Sequence, residues 1–413
     1  MTTLTKGFLS RYFKRVFIKR LSAVETDTTR SNQHELNGIS PLRMLFGDTR
    51  SSREAYFMWL GGENEGITEL SSVTWYDARA NHPTRTEFRL YYQTNSVMDI
   101  ASEGDLLIVA RRPDDSIYFM VAPAESTIER QLIWLFNVKE QIGTDFIVQE
   151  VKGRNDAQID FVVRYILDEI GIEIAEAEES LLDEFLKPYF VGGFPSTKEF
   201  SALARKITSE YSETENPDNA LLSWMESEER LFRRLEKHLI SKELHTVFST
   251  GGSVNIENFL SVSKSIQNRR KSRVGHALEN HLSFIFTSNK ILHSRNPVTE
   301  NRSRPDFIFP GYQEYGDPAF PIEGLTMLGV KFSCRDRWRQ IISEAMRIPQ
   351  KHLLTLEPGI SEAQTREMTA QNVQLVIPQP LHATYSVQQT SKLLNLQEFI
   401  RVVRQRQVHQ TKH

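Results

Sequence analysis

The chain has 413 residues, 39% of them hydrophobic and 25% charged, with a net charge of −3. That length predicts two or three domains, each able to bury its own core, and the composition is that of an ordinary soluble protein. The charge announces no global affinity for nucleic acid, the single cysteine (Cys334) excludes a disulfide framework and points to a reducing compartment, and no apolar run reaches the ~18 residues needed to span a bilayer.

Phe8, Leu9, Tyr12, Phe13, Val16 and Phe17 interleave with Lys6, Arg11, Lys14, Arg15, Lys19 and Arg20. This reads as an amphipathic first helix running into a strand at 17–21. A transit peptide would carry a serine bias and a cleavage context that are missing here, so the expected location is the cytoplasm. From 17 to about 125, short β-rich runs alternate with turn clusters, as at 54–60, 88–92, 106–110 and 117–121. That spacing predicts an all-β, barrel-like domain. Residues 125–141 and 157–186 read as helical. The second stretch is acidic, with Asp168, Glu169, Glu173, Glu176, Glu178, Glu179, Asp183 and Glu184. Such a run is mostly a solvated helix face; a mask over a basic surface is the alternative.

Composition shifts to turn residues around 188–195, where a boundary is expected. Helices dominate from there to about 289. Strand-like runs at 305–309, 325–332, 352–356 and 373–377 then alternate with helices at 336–348 and 361–371, which predicts an α/β core. The expected layout is an N-terminal β domain over 1–175, a linker over 176–193 and an α/β domain over 194–413. No internal repeat is present.

The chemistry concentrates between 305 and 344. Metal-assisted phosphodiester cleavage needs carboxylates to hold Mg²⁺ and a cation beside the attacking water or the developing charge. Asp306 opens the strand 307–309, and Lys331 ends the strand 325–330. Adjacent strands would bring the two to one sheet edge. A Pro-Asp … (Asp/Glu)-x-Lys nuclease carries an acid two residues before the lysine; here that position is Gly329. The missing acid must come from elsewhere, and Glu344, on the amphipathic stretch 338–345, is the candidate. Glu279, on another helix, suits an outer ligand or an ordinary helix surface equally well.

The cluster Arg335-Asp336-Arg337-Trp338-Arg339 has its own logic. Arginine donates two bonds to guanine in the major groove, and aspartate accepts from cytosine. Alone, the run suits a salt-bridged helix start; four residues from a metal-site candidate, it suits a base reader. Lys264, Arg269, Arg270, Lys271 and Arg273 form a basic cluster that would track phosphates, which supply affinity without sequence information.

These residues carry a resemblance. The chain is similar to the EcoRII family of Type II restriction endonucleases in 263–273, 304–310, Val330-Lys331, 335–341, 365–368 and Phe194-Pro195-Ser196. The family implies a Mg²⁺-dependent nuclease whose second acid has moved to the helix, which maps onto Asp306, Lys331 and Glu344. Tyr315 falls where the family has a tyrosine implicated in catalysis. Arg335, Asp336 and Arg337 map onto readers of the outer C·G pairs of CC(N)GG-type sites.

Residues 17–23 and 84–89 match the family's N-terminal effector domain, a β-pseudobarrel that grips a second target copy with two arms. The arms map to about 23–39 and 83–89, with contact candidates Asn32, Arg79, Arg85, Glu87 and Arg89. The chain departs from the pattern in both arms and at the central base pair. There the family uses an arginine and an aromatic four residues apart; this chain has Met225 and Glu229, with Trp224 adjacent, so either Trp224 substitutes as the stacking partner or the centre is read differently. The implied assembly is a homodimer on a palindromic site. The implied genetic partner is a cytosine methyltransferase. The competing readings are a DNA-binding protein with a degenerate nuclease core and a non-restriction nuclease.

Overall fold

A computed structural model describes residues 8–26, 34–36, 39–152, 161–172, 174, 179–208, 210–249 and 256–408, with side chains described outside 179–181, 242–249, 256–263, 267, 271 and 335–337. The chain divides into two compact units, one built from residues 6–174 together with 359–363, the other from the rest.

The first unit holds strands β1 (Arg15–Arg20), β2 (Glu35–Leu36), β3 (Ser51–Trp59), β4 (Thr68–Asp77), β5 (Phe88–Tyr92), β6 (Leu106–Arg111), β7 (Ile117–Ala122) and β8 (Ile147–Glu150). They form one eight-stranded sheet in the order β2-β5-β4-β3-β7-β6-β1-β8. Neighbours are antiparallel except β3 and β7, which run parallel. β4 alternates buried and less buried residues, the signature of a half-solvated strand, whereas β6 is buried on both faces. Side chains from both edges of the sheet, Leu36 of β2 and Val148 of β8, join one apolar cluster with Phe17, Phe57, Trp75, Tyr92 and Phe119. The sheet therefore wraps a single core, and among the described residues no pairing closes β2 onto β8.

The helices of this unit are short: α1 (Ala23–Thr26), α2 (Arg43–Phe46), α3 (Ser96–Ile100), α4 (Thr127–Leu135) and α5 (Phe161–Glu169). The helix expected before the first strand is, among the described residues, one 3-10 turn at Leu9–Arg11; the strand then begins at Arg15 rather than Phe17. Most of the expected first arm, including Asn32, lies outside the described residues. Its root is fixed. Lys19 of β1 and Glu25 of α1 form a fully buried ion pair at 2.5 Å. The other Glu25 oxygen accepts the Ser22 amide and hydroxyl, both at 2.8 Å. Burial alone would drive the Lys19 pKa down, and Glu25 opposes that.

The second unit begins with α6 (Glu179–Leu186), α7 (Tyr189–Gly192), α8 (Thr197–Ile207), α9 (Pro217–Ser249) and α10 (Ile256–Ser288). It continues through β9 (Ser294–Arg295), β10 (Phe307–Phe309), α11 (Tyr312–Gly316), β11 (Thr326–Lys331), a 3-10 helix at Arg335–Ser343 and β12 (Lys351–Thr355). The last elements are α12 (Glu362–Ala370), β13 (Val373–Val376), α13 (Val387–Thr390) and α14 (Leu396–Val408). The sheet order is β13-β12-β11-β10-β9. β9, β10 and β11 are antiparallel, and β11, β12 and β13 are parallel. This is the expected α/β core, its strands within two residues of the expected runs. No described helix is long and apolar enough to cross a membrane.

The expected linker is corrected. Leu182 and Leu186 pack with Phe200, Leu231, Phe232 and Leu235, and Tyr189, Phe190 and Phe194 lean on the same cluster. Asp183 takes two bonds of 2.7 Å from Arg234 of α9. The acidic composition hid an apolar stripe at helical spacing, so Leu182 and Leu186 join the second unit's core and Tyr189 and Phe190 pack against it. Leu186 is fully buried. Leu186→Ala is therefore expected to destabilise this unit by ~3 kcal/mol, read from the shift in its denaturant midpoint. A linker residue would show almost none.

Candidate active site

Asp306 sits immediately before β10. The antiparallel register pairs Phe307 with Leu328, which sets Asp306 across from Gly329 on β11. The Val330 amide donates to Asp306 Oδ2 at 2.6 Å, and Lys331 Nζ reaches the same oxygen at 3.3 Å. The expected meeting of Asp306 and Lys331 at one sheet edge is thus what the strands produce. On the other side, the Asn296 amide bonds the Asp306 carbonyl at 3.0 Å.

Gly329 occupies the position where an acid would stand. A Cβ there would lie 2.7 Å from Ile341 Cγ2, closer than any carbon–carbon contact tolerates. The glycine lets the 3-10 helix lie directly on β11. In a helix with three residues per turn, positions three apart eclipse. Trp338 and Ile341 are both buried, and the next residue in that series is Glu344. Glu344 is not helical, contrary to the expected α-helix at 336–348; it caps the 3-10 segment in extended conformation. The tight helix brings Glu344 to the same site as Asp306.

The electrostatics agree. Burial raises the Asp306 pKa, against the pull of Lys331 and the Val330 amide, and Glu279 raises it further. Burial and then the Asp306 charge push Glu344 up to about 7, with Lys331 and Lys351 opposing. Glu344 Oε2 is buried and has no hydrogen-bond partner. A buried carboxylate and a half-buried one, the second raised by the charge of the first and holding an idle oxygen, are poised for a cation. Among the described residues, no three His, Cys, Asp or Glu side chains cluster to hold a metal unaided. Mg²⁺ fits such a set: it usually takes one or two carboxylates and completes its shell with water and phosphate oxygens.

Glu279 of α10 is neutralised by Arg295, at 2.8 Å, and also accepts from Asn296. It influences Asp306 but is held by that arginine. Tyr315 is buried and donates to Glu300 at 2.6 Å, while the Arg347 amide approaches its hydroxyl at 3.4 Å. Its pKa is strongly raised by burial and then by Glu300. These bonds direct its hydroxyl to Glu300 and the Arg347 amide.

The base-reader candidates lie on the 3-10 helix. Its start is held by Glu357, which accepts the Cys334 amide at 2.5 Å. The side chains of Arg335, Asp336 and Arg337 lie outside the described set. Arg339 pairs with Glu367 at 2.9 Å and is half exposed. In the basic cluster, Lys264 is exposed, Arg269 lies over Phe194 and Arg270 pairs with Glu236. The Lys271 side chain is not among those described.

Two candidates are corrected by burial. Arg273 is 7% exposed, bonds Glu228 at 3.3 Å and lies 4.0 Å over the Phe200 ring, so it is part of the helical core and not a phosphate contact. Trp224 is 4% exposed, donates to the Thr208 carbonyl at 3.0 Å and packs on His281 and Phe284. Its ring has no open face for a flipped base. Glu229 is paired with Arg233 at 2.6 Å.

In the first unit, Glu87 lies between Arg79 and Arg89, and Arg89 also pairs with Glu35 at 3.0 Å. Tyr76 completes the set with a 2.6 Å bond to Glu35. Arg85 is exposed on the turn ahead of β5. Sequence reasoning missed Arg295, Lys351 and Glu357, which orient the site. The only signal was a lysine opening an otherwise apolar strand.

Residues 232–400 match the family described as EcoRII C terminal. The chain is 41% identical over 187 residues to the Type II restriction enzyme EcoRII of Escherichia coli, a match that spans 45% of each chain. The likeness to EcoRII expected from the motifs is thus borne out in the C-terminal part; the match covers about half the length of that relative. Among solved structures, metal-depleted Ecl18kI in complex with uncleaved, modified DNA aligns with a TM-score of 0.44 and 15% identity, over 56% of this chain and 85% of that one. The restriction endonuclease PspGI–substrate DNA complex aligns at 0.41 and 16%, over 54% and 96%.

Two outcomes are expected. Gly329→Asp, which restores the usual acidic position, should lower stability by ~2 kcal/mol or more through overpacking against Ile341, and should not restore any function lost in Glu344→Gln; thermal melting and activity assays check both. The raised Glu344 pKa means the cation-free fold binds this proton more tightly than the unfolded chain. Stability from this group is present below about 4.5 and lost as pH rises through about 7. Glu344→Gln should therefore gain stability relative to the parent as pH rises from 5 to 8, measured by denaturation in EDTA.

Proposed function

We propose that the chain is a site-specific deoxyribonuclease that hydrolyses double-stranded DNA at a short palindrome with outer C·G pairs, of the CCNGG or CCWGG kind, in the presence of Mg²⁺. The observation that carries the reading is the convergence of Asp306, Lys331 and the unpartnered Glu344 at one sheet edge, beside a segment that carries the reader run. The identity to EcoRII supports it over the C-terminal part.

Asp306 and Glu344 would hold the metal, with Glu279 as an outer group. Bound there, Mg²⁺ would supply a lower pKa for the attacking water and charge stabilisation at the phosphate. Lys331 donates to Asp306, keeping that carboxylate oriented, and its ammonium would stabilise the negative charge that develops on a bound phosphate. Arg335, Asp336 and Arg337 are the proposed readers of the outer pairs. Lys264, Arg269, Arg270 and Lys271 would track phosphates, with Arg339 beside the reader.

The first unit is proposed as the effector domain, a β-pseudobarrel that binds a second target copy. Arg79, Arg85, Glu87 and Arg89 are its proposed contacts, with Asn32 on the other arm. The paired state of Arg79, Glu87 and Arg89 supports a pre-ordered surface, which lowers the ordering cost on binding. A homodimer meets the symmetry of a palindrome. The location is the cytoplasm, with a cytosine methyltransferase as the genetic partner. The degenerate-core reading rested on Gly329; a glycine that seats Ile341, with an acid at 344, removes that support.

Lys331→Ala is expected to lower Mg²⁺-dependent plasmid cleavage by about a thousandfold or more while leaving specific duplex binding within severalfold. Cleavage assays with Mg²⁺ against EDTA, and gel-shift titrations, check the two halves. Persistent cleavage would refute the site. The unit from 175 onward, cut to include α6 and α7, should cleave a single-site plasmid faster than the full chain if the effector domain restrains it; no gain would argue against restraint.

A further inference from the structure

Lys351 opens β12, in register with Val373, and is 5% exposed. A buried ammonium is unusual, and this one uses all three donors. Nζ bonds the carbonyls of Glu344 at 2.6 Å, Ala345 at 2.8 Å and Ile348 at 2.6 Å. These are the residues at which the chain leaves the 3-10 helix. Ala345 is in the left-handed region at φ 45°, a turn that a non-glycine residue adopts only when its surroundings hold it there. The Ile348 amide closes the turn on the Ala345 carbonyl at 2.9 Å.

We infer that Lys351 is a positioning residue: its three bonds fix the 344–348 turn so that the Glu344 carboxylate stands at the cation site beside Asp306. The inference rests on the nuclease reading above. Lys351 touches the backbone of Glu344 and leaves the carboxylate Oε2 free of any partner, which is what a ligand awaiting a cation requires. It also brings positive charge near Glu344 and Glu300. Groups that orient a metal ligand from behind govern affinity nearly as strongly as the ligands do.

The test uses the full chain, Lys351→Met and Lys351→Gln. The methionine keeps the volume and removes every donor; the glutamine keeps two. Mn²⁺ binding is measured from its electron paramagnetic resonance signal, and hydrogen exchange is followed for peptides covering 340–350. Circular dichroism and melting confirm folding. Lys351→Met is expected to weaken Mn²⁺ binding about ten- to hundredfold. Exchange in 344–348 should speed up by about tenfold or more, with Lys351→Gln intermediate in both. Parental Mn²⁺ affinity and exchange in either folded variant would overturn the inference, and so would weaker Mn²⁺ binding with unchanged exchange. Should Lys351→Met not fold, Lys351→Gln decides on the same two readouts. Absence of Mn²⁺ binding by the parent chain would instead overturn the nuclease reading, and exchange alone would then judge the clamp.

Discussion

The site depends on one contact: Ile341 seated on Gly329. Without a side chain at 329, the 3-10 helix lies directly on β11. Its three-residue period then runs from Trp338 through Ile341 to Glu344, and the carboxylate arrives within electrostatic reach of Asp306. An acid at 329 and a helix this close are sterically incompatible. In the proposed enzyme, the absence of an acid at 329 and the use of the one at 344 would therefore be two consequences of one packing contact.

The surrounding sheet converts that contact into a framed site. β10 and β11 set Asp306 beside Lys331 through an antiparallel register that a one-residue slip would destroy. β12 is parallel to β11 and reaches both ends of the 3-10 segment: Lys351 opens the strand at one end, and Glu357 lies just past the other. The reader run starts at the Glu357 end, and the acid stands at the Lys351 end. In the proposed enzyme, base reading and metal binding would share one rigid support, and a shift at one end would be felt at the other.

Much of this was legible in the sequence because it is carried by local patterns. Short β-rich runs between turn clusters announced most strands of both units, and Pro305-Asp306 with Lys331 announced the strand ends where the candidate site gathers. Gly329 also prompted the search for an acid elsewhere, and Glu344 is a carboxylate that the fold brings within electrostatic reach of Asp306. What was hidden was set by packing. The 3-10 period at 335–343 cannot be told from an α-helix in so short an amphipathic run. The acidic stretch at 179–186 concealed Leu182 and Leu186. Trp224 and Arg273 carry residue types common at nucleic-acid surfaces, yet the α8–α10 core takes both, the tryptophan through an indole bond to Thr208 and the arginine through Glu228. The bonds of Lys351 link residues whose turn only the folded chain reveals.

The central claim is that Glu344 supplies the second acid of a metal site with Asp306. Anomalous diffraction from crystals of the full chain soaked in Mn²⁺ tests it most directly. The account predicts a Mn²⁺ peak between the Asp306 and Glu344 carboxylates that disappears in Glu344→Gln. A peak that persists in that variant, or one held by Asp306 without Glu344, would contradict it.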